Sequence, residues 1–170
     1  MAIKKERPRI AIPRSAIDNS TDIIAAAAVI FMFAYIAYFW STLPEQVPMH
    51  ANFAGVIDRY GSRCTLWFIP VTAAVLVIFL TIISRFPHVF NYAVEINEQN
   101  APAQYRNALS LMAFIKAEIA ISFSCIVLDF VNATVTNQPV MRFGVYFFIV
   151  GGLIFFGTMG FFVYRAYKLK

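Results

Sequence analysis

The side chains best suited to chemistry lie in one short polar stretch, residues 43–62, between two long apolar runs. It reads LPEQVPMHANFAGVIDRYGS, and its candidate ligand-binding or partner-binding residues are His50, Asn52, Asp58, Arg59 and Tyr60. Histidine titrates near neutral pH, so His50 can serve as a base, a metal ligand or a pH sensor. If the protein recognises or transforms anything, we expect the contact in this loop.

A metal centre or an enzyme site is the weaker interpretation of this loop. One histidine among scattered oxygen ligands falls short of a catalytic zinc site, which normally has three protein ligands. The chain also has no Gly-x-Ser-x-Gly, His-Glu-x-x-His or phosphate-cradling Gly-Lys-Ser/Thr motif. We therefore predict no metal, no cofactor and no catalytic residue, and we favour a protein that is not an enzyme.

A structural role for the same polar residues is the favoured alternative. In this interpretation His50, Asn52 and Asp58 hydrogen-bond the loop's own backbone and cap the following helix. Asp58 would also pair with Arg59 or Arg63 at the rim, and an exposed ion pair of this kind contributes little stability.

The elements that hold this loop are long apolar blocks. The 170 residues are 60% hydrophobic and 14% charged, which lies outside the usual range of soluble proteins. Each block is about long enough to cross a hydrocarbon core of roughly 30 Å. The four blocks are residues 23–39, 65–84, 108–131 and 143–164. We predict an all-α integral membrane protein with four transmembrane helices in a bundle, because a membrane β-barrel would need short alternating segments.

The predicted organisation has two parts, a basic tail at residues 1–22 and a single four-helix transmembrane domain at residues 23–170. Prolines interrupt the tail, so we expect it to be flexible and to lie near anionic headgroups. Ser20, Thr21 or Asp22 is expected to cap the first helix.

The basic residues set the expected orientation. Ten Lys and Arg residues flank the termini and the middle loop, and three, Arg59, Arg63 and Arg142, flank the other side. By the positive-inside rule, both termini are cytoplasmic and the 43–62 loop faces outward from the inner membrane of the cell. The net charge of +5 lies at block ends, so we discount nucleic-acid binding.

Polar residues on the third block form a second candidate site. Glu118, Ser122 and Asp129 share one helical face with Cys125 and Asn132. A carboxylate within the membrane costs a few kcal/mol, so this face should point into the bundle. It is either a proton or cation relay, or a set of helix contacts with Glu118 protonated or paired. Lys116 lies on the opposite face and would snorkel to the headgroups or meet another helix.

The run LPEQVPMHANFAGVIDRYGSR resembles the signature of a bacterial membrane family called domain of unknown function 1648. The signature pattern is Leu-Pro, Ile/Val-Pro-x-His-x-Asn, Gly-x-x-Asp and aromatic-Gly-Ser-Lys/Arg. In this chain it falls on Pro44, Pro48, His50, Asn52, Gly55, Asp58 and Gly61, with Ala51 and Tyr60 as departures. The stretch FPHVFNYAVEINEQNAPAQYRNAL is similar to a second recurrent segment of such proteins.

The resemblance implies a membrane role without a defined activity. The family includes SdpI-type immunity and signalling proteins, whose additional C-terminal membrane region is not expected here. We expect a non-catalytic recognition or immunity-type protein whose loop engages a peptide, a toxin or a partner membrane protein. The alternative is a small transporter or an accessory subunit that uses the Glu118/Asp129 face. Glycines in the last block would also permit an oligomer.

Overall fold

Four helices and one β-hairpin make up the computed structural model, which describes residues 7–52, 56–136 and 145–170. In chain order the elements are α1 (Ala16–Phe39), β1 (Gln46–Ala51), β2 (Ile57–Ser62), a 3-10 turn (Arg63–Trp67), α2 (Phe68–Ile83), a second 3-10 turn (Pro87–Val89), α3 (Ala101–Thr136) and α4 (Val145–Lys168). Four helical segments are long and apolar enough to cross a membrane. The predicted multi-pass helical membrane protein is therefore confirmed.

The first helix begins at Ala16, earlier than the apolar pattern predicts. Ser15 accepts a hydrogen bond from the backbone N–H of Asp18, and the Asp18 carboxylate accepts one from the N–H of Ser15. This reciprocal capping box satisfies two N–H groups that have no partner within the helix. Ser20, Thr21 and Asp22 lie inside α1, so their predicted capping role is wrong.

The N-terminal segment before α1 is packed against the rest of the protein. The Tyr105 hydroxyl donates to the carbonyl of Pro8 at 3.0 Å, and the Arg7 guanidinium donates to the carbonyl of Phe90 at 2.5 Å. The predicted flexible tail is therefore wrong for residues 7–15. Lys4 and Lys5 of that tail lie outside the described residues.

The central helix is α3, which has 36 residues and, at 1.5 Å per residue, is about 54 Å long. It runs parallel to α1, as shown by two contacts: the Ser124 hydroxyl donates to the carbonyl of Ala28, and the Tyr35 hydroxyl donates to Asn132 Oδ1. The hairpin adds apolar side chains to the core between α1, α2 and α3. That core consists of Met32, Ile36, Leu43, Val47, Leu66, Ala73, Val127 and Val131.

The last helix packs mainly on α3 and stays outside this core. It runs antiparallel to α3, with the Asn107 amide donating to the carbonyl of Phe162 near one end and Thr158 meeting Glu118 further along. The expected four-helix bundle is thus a three-helix core with α4 added at one side. Gly151 and Gly157 of α4 face open space, and the oligomer through this helix stays a prediction. The start of the predicted last span, residues 143–144, lies outside the described residues.

Candidate functional site

The polar loop is an antiparallel hairpin with a histidine–aspartate pair on its surface. His50 Nδ1 lies 2.6 Å from Asp58 Oδ1, and the two side chains are 60% and 47% exposed. The strand pairing is irregular around His50, which faces Arg59 across the hairpin. An irregularity of this kind redirects a side chain locally. The expected pairing of Asp58 with an arginine is replaced by this contact with His50.

Asn52 shapes the end of the hairpin. Its backbone N–H donates to the carbonyl of Val56 at 2.9 Å, and its side-chain Oδ1 accepts from the N–H of Val56 at 3.1 Å. An asparagine that binds nearby backbone stabilises a turn in this way. Gly55, the neighbouring residue of the expected signature, lies outside the described residues.

Arg59 and Tyr60 project from the second strand and are both exposed. Tyr60 is 60% exposed. Beside them, Gly61 allows the hairpin to close, because a Cβ at this position would lie 2.7 Å from Met49 Cγ. The hairpin therefore presents a histidine, an aspartate, an arginine and a tyrosine together on one short element.

Arg63 fixes the base of the hairpin to the end of α1. Its guanidinium donates to the carbonyls of Trp40 at 3.2 Å and Leu43 at 2.9 Å, and it lies 4.8 Å from the centre of the Trp40 ring. The Trp67 ring packs against Trp40 at 5.6 Å, and Val47 of the first strand is fully buried. These contacts anchor the base of the hairpin to the helices.

A second polar site, which sequence reasoning missed, lies between α1, α2 and α3. Lys116 is 1% exposed, and its Nζ lies 2.6 Å from Asp22 Oδ1 and 3.4 Å from the Thr81 hydroxyl. One turn earlier on α1, Asp18 accepts from Ser110 at 2.8 Å and pairs with Arg106 at 3.1 Å. Arg14 reaches the other oxygen of Asp22 at 2.5 Å. We call these seven residues the ionic cluster.

One sequence signal could have located the ionic cluster. Asp18 and Asp22 are four residues apart, so they share a helical face once α1 is extended back to Ala16. The capping-box pattern at Ser15 and Asp18 supplies that extension. Lys116 meets another helix, as one of its two predicted outcomes required, and its partner is on α1.

The predicted polar face of α3 turns toward α4 at Glu118. The Thr158 hydroxyl donates to Glu118 Oε1 at 2.5 Å, while the buried Oε2 has no hydrogen-bond partner in the described part of the chain. Ser122 and Asp129 are half-buried further along the helix. The face therefore makes a contact between two helices at Glu118, and Lys116 points to a different neighbour.

The described residues do not form a metal-binding group. Among residues 7–52, 56–136 and 145–170, no three His, Cys, Asp or Glu side chains cluster in a way that could hold a metal ion. The His50–Asp58 pair can orient an imidazole and bind a donor or a charged group. Both cysteines are free thiols, Cys64 exposed and Cys125 half-buried.

The comparisons with known proteins identify one domain. Residues 27–74 match the family model described as Domain of unknown function (DUF1648). The match covers the C-terminal half of α1, the hairpin and the first turns of α2, and it ends before the α2–α3 segment. No curated protein and no solved structure matches the chain. The family that the loop signature resembles is therefore confirmed for residues 27–74.

Proposed function

We propose that this membrane chain, which carries a DUF1648 domain at residues 27–74, is a non-catalytic recognition protein that binds a partner through its hairpin. The observation that carries the proposal is a hairpin whose base is anchored to the helices and whose polar and aromatic side chains are exposed. Anchoring lowers the entropy cost of binding to the extent that it holds the side chains in place before the partner arrives.

The chemistry of the exposed residues fits a peptide or a protein partner. Tyrosine and arginine are among the types most often found at the energetic centre of protein interfaces, and Tyr60 and Arg59 supply both. The adjacent His50–Asp58 pair adds an acceptor and a donor at fixed positions. An immunity-type or signalling role, with a toxin, a peptide or a membrane protein as the partner, would use this surface.

The proposal requires that the hairpin face the outside of the inner membrane. The exposed Cys64 lies two residues after the end of β2, whereas Cys125 is half-buried within α3. A membrane-impermeant maleimide added to intact cells is therefore expected to label Cys64 alone. Mass spectrometry of the purified protein would locate the label, and Cys64→Ser should abolish it. Labelling that appears only after the membrane is permeabilised would place the hairpin in the cytoplasm.

A photo-reactive amino acid at Tyr60 is expected to crosslink a partner in native membranes. The matched control is the same amino acid at Val75, an α2 residue that is 59% exposed on the apolar surface. His50→Ala or Arg59→Ala in the Tyr60 background should lower the adduct yield at least tenfold, because each removes a neighbouring contact. Equal adducts at Tyr60 and Val75, or yields unchanged by both substitutions, would contradict recognition by the hairpin.

Transport along α3 is the second candidate, and it is favoured by the buried Glu118 oxygen, which has no partner among the described residues. A carboxylate inside the membrane often marks a proton or ion path. If the chain is a small transporter or an accessory subunit of one, Glu118→Gln should abolish proton or cation flux in reconstituted vesicles. Thr158→Val is the companion variant, because it removes the hydrogen bond to Glu118 and keeps the carboxylate. It separates the effect of this hydrogen bond from the effect of the carboxylate itself. Flux that Glu118→Gln leaves unchanged would eliminate this candidate.

A further inference from the structure

A cavity of about 570 Å³ lies between α3, α4 and the segment that joins α2 to α3. This volume is typical of small-molecule sites, which span about 300–1,000 Å³. We call it the α3–α4 cavity; the residues that matter here are Phe90, Tyr92, Gln104, Asn107, Ala108 and Phe162. It lies at the opposite end of the helices from the hairpin, so it is independent of the recognition surface.

Two buried amides on α3 line this cavity with fixed orientations. Gln104 is fully buried and Asn107 is 4% exposed. Gln104 Nε2 donates to the carbonyl of Ala166 at 2.7 Å, and Asn107 Nδ2 donates to that of Phe162 at 2.9 Å. These bonds to α4 determine which atom of each amide is the oxygen.

The two amide oxygens are left without partners. Gln104 Oε1 and Asn107 Oδ1 are both buried, and neither accepts a hydrogen bond within the part of the chain that the structure describes. They lie three residues apart, on one side of α3. A buried acceptor without a donor costs free energy, and two of them on residues that line one cavity indicate a ligand that brings donors.

The surroundings favour a cationic donor. The carbonyl end of α4 lies against Gln104, and the negative end of a helix dipole attracts positive charge, part of which Arg165 and Lys168 in the last turn already supply. Tyr92 donates its hydroxyl to the carbonyl of Pro87, and burial raises its pKa, so it brings no charge. The described residues that line the cavity include no charged side chain. A cation in the cavity would therefore need its own counter-charge.

The Arg7 guanidinium lies beside the cavity, where it would pair with an anionic group that such a ligand carries. The Arg7 guanidinium donates to the carbonyl of Phe90 and is 5.4 Å from the centre of the Tyr92 ring, and both of these residues line the cavity. Ile83 of α2 and Val163 of α4 border the cavity as well, and Val163 is 40% exposed on the apolar surface. The cavity therefore combines acceptors, a nearby cation and an apolar border.

We propose that the α3–α4 cavity binds the headgroup of a phospholipid with a primary ammonium group. The ammonium donates to Gln104 Oε1 and Asn107 Oδ1, and the phosphate faces Arg7. The acyl chains leave between α2 and α4, along Ile83 and Val163. Phosphatidylethanolamine has this chemistry. Phosphatidylcholine has the same charges but no N–H donor, and phosphatidylglycerol offers hydroxyl donors with a net negative charge.

Native mass spectrometry of the full chain tests this assignment. The protein is released from detergent micelles that contain equal amounts of the three phospholipids with identical acyl chains. We expect at least tenfold more bound phosphatidylethanolamine than either of the other two. Ala108→Phe, which fills the cavity, should lower that binding at least fivefold. Ala27→Phe, at an exposed position of α1 away from the cavity, is the matched control and should leave it unchanged.

Three outcomes would overturn the assignment. These are equal retention of phosphatidylcholine, equal retention of phosphatidylglycerol, and undiminished phosphatidylethanolamine binding by Ala108→Phe. If Ala108→Phe does not fold, as judged by circular dichroism, the smaller Ala108→Leu replaces it, with Ala27→Leu as its control. None of these variants changes the hairpin, so failure here leaves the recognition proposal intact.

Discussion

Replacing Asp22 by asparagine is expected to destabilise the protein by about 3 kcal/mol. The substitution leaves the Lys116 ammonium, which is 1% exposed, without its counter-charge at 2.6 Å. Breaking a buried ion pair by removing one partner costs about 3–5 kcal/mol. We expect a loss at the lower end of this range because Asp22 is 24% exposed. The apparent melting temperature in detergent should fall by several degrees.

Companion variants separate the charge effect from a loss of packing. Lys116→Met should cost less than Asp22→Asn, because Asp22 keeps Arg14 as a partner at 2.5 Å. The double variant Asp22→Asn/Lys116→Met should recover most of the loss, since no buried charge is then unpaired. Glu98→Gln, at an exposed carboxylate outside the helices, is the control. A double variant as unstable as Asp22→Asn alone would show that the ion pair is not the cause.

Arg63→Leu is expected to release the hairpin from the end of α1. It removes two charge-assisted hydrogen bonds, to the carbonyls of Trp40 and Leu43, and the stacking on the Trp40 ring. Such hydrogen bonds contribute about 1.5–3 kcal/mol each when they are buried. Because Arg63 is half-buried, we expect a loss of about 2 kcal/mol. Hydrogen exchange at the backbone amides of β1 and β2 should accelerate at least tenfold.

Arg59→Leu is the matched control, as it makes the same change four residues earlier on the exposed strand. It should leave hydrogen exchange in the hairpin unchanged and should still lower the crosslinking yield at Tyr60. Arg63→Lys should give an intermediate exchange rate, because a lysine cannot reproduce the planar fork of the guanidinium. Unchanged protection of β1 and β2 in Arg63→Leu would mean that buried Val47 and Leu66 hold the hairpin without it.

The amino-acid sequence by itself determined the class of the protein. Four apolar blocks of bilayer length predict four spans, because an apolar helix of that length is stable in lipid without any tertiary contact. The spacing of Pro48, His50, Asn52 and Asp58 was enough to indicate the family of residues 27–74. The polar residues of the loop could be named for the same reason, since a short polar stretch between two spans must lie outside the hydrocarbon.

Only the tertiary structure decided which polar residues meet. From hydropathy alone, Asp22 belongs to the polar tail and Lys116 is an isolated charge within an apolar block. Their pairing requires that α1 and α3 run side by side in parallel, which only the structure shows. The same holds for Gln104 and Asn107, whose amide nitrogens donate to carbonyls of α4 and whose oxygens have no hydrogen-bond partner among the described residues. Contacts between helices depend on rotation and register, and the apolar pattern of one helix at a time leaves both undetermined.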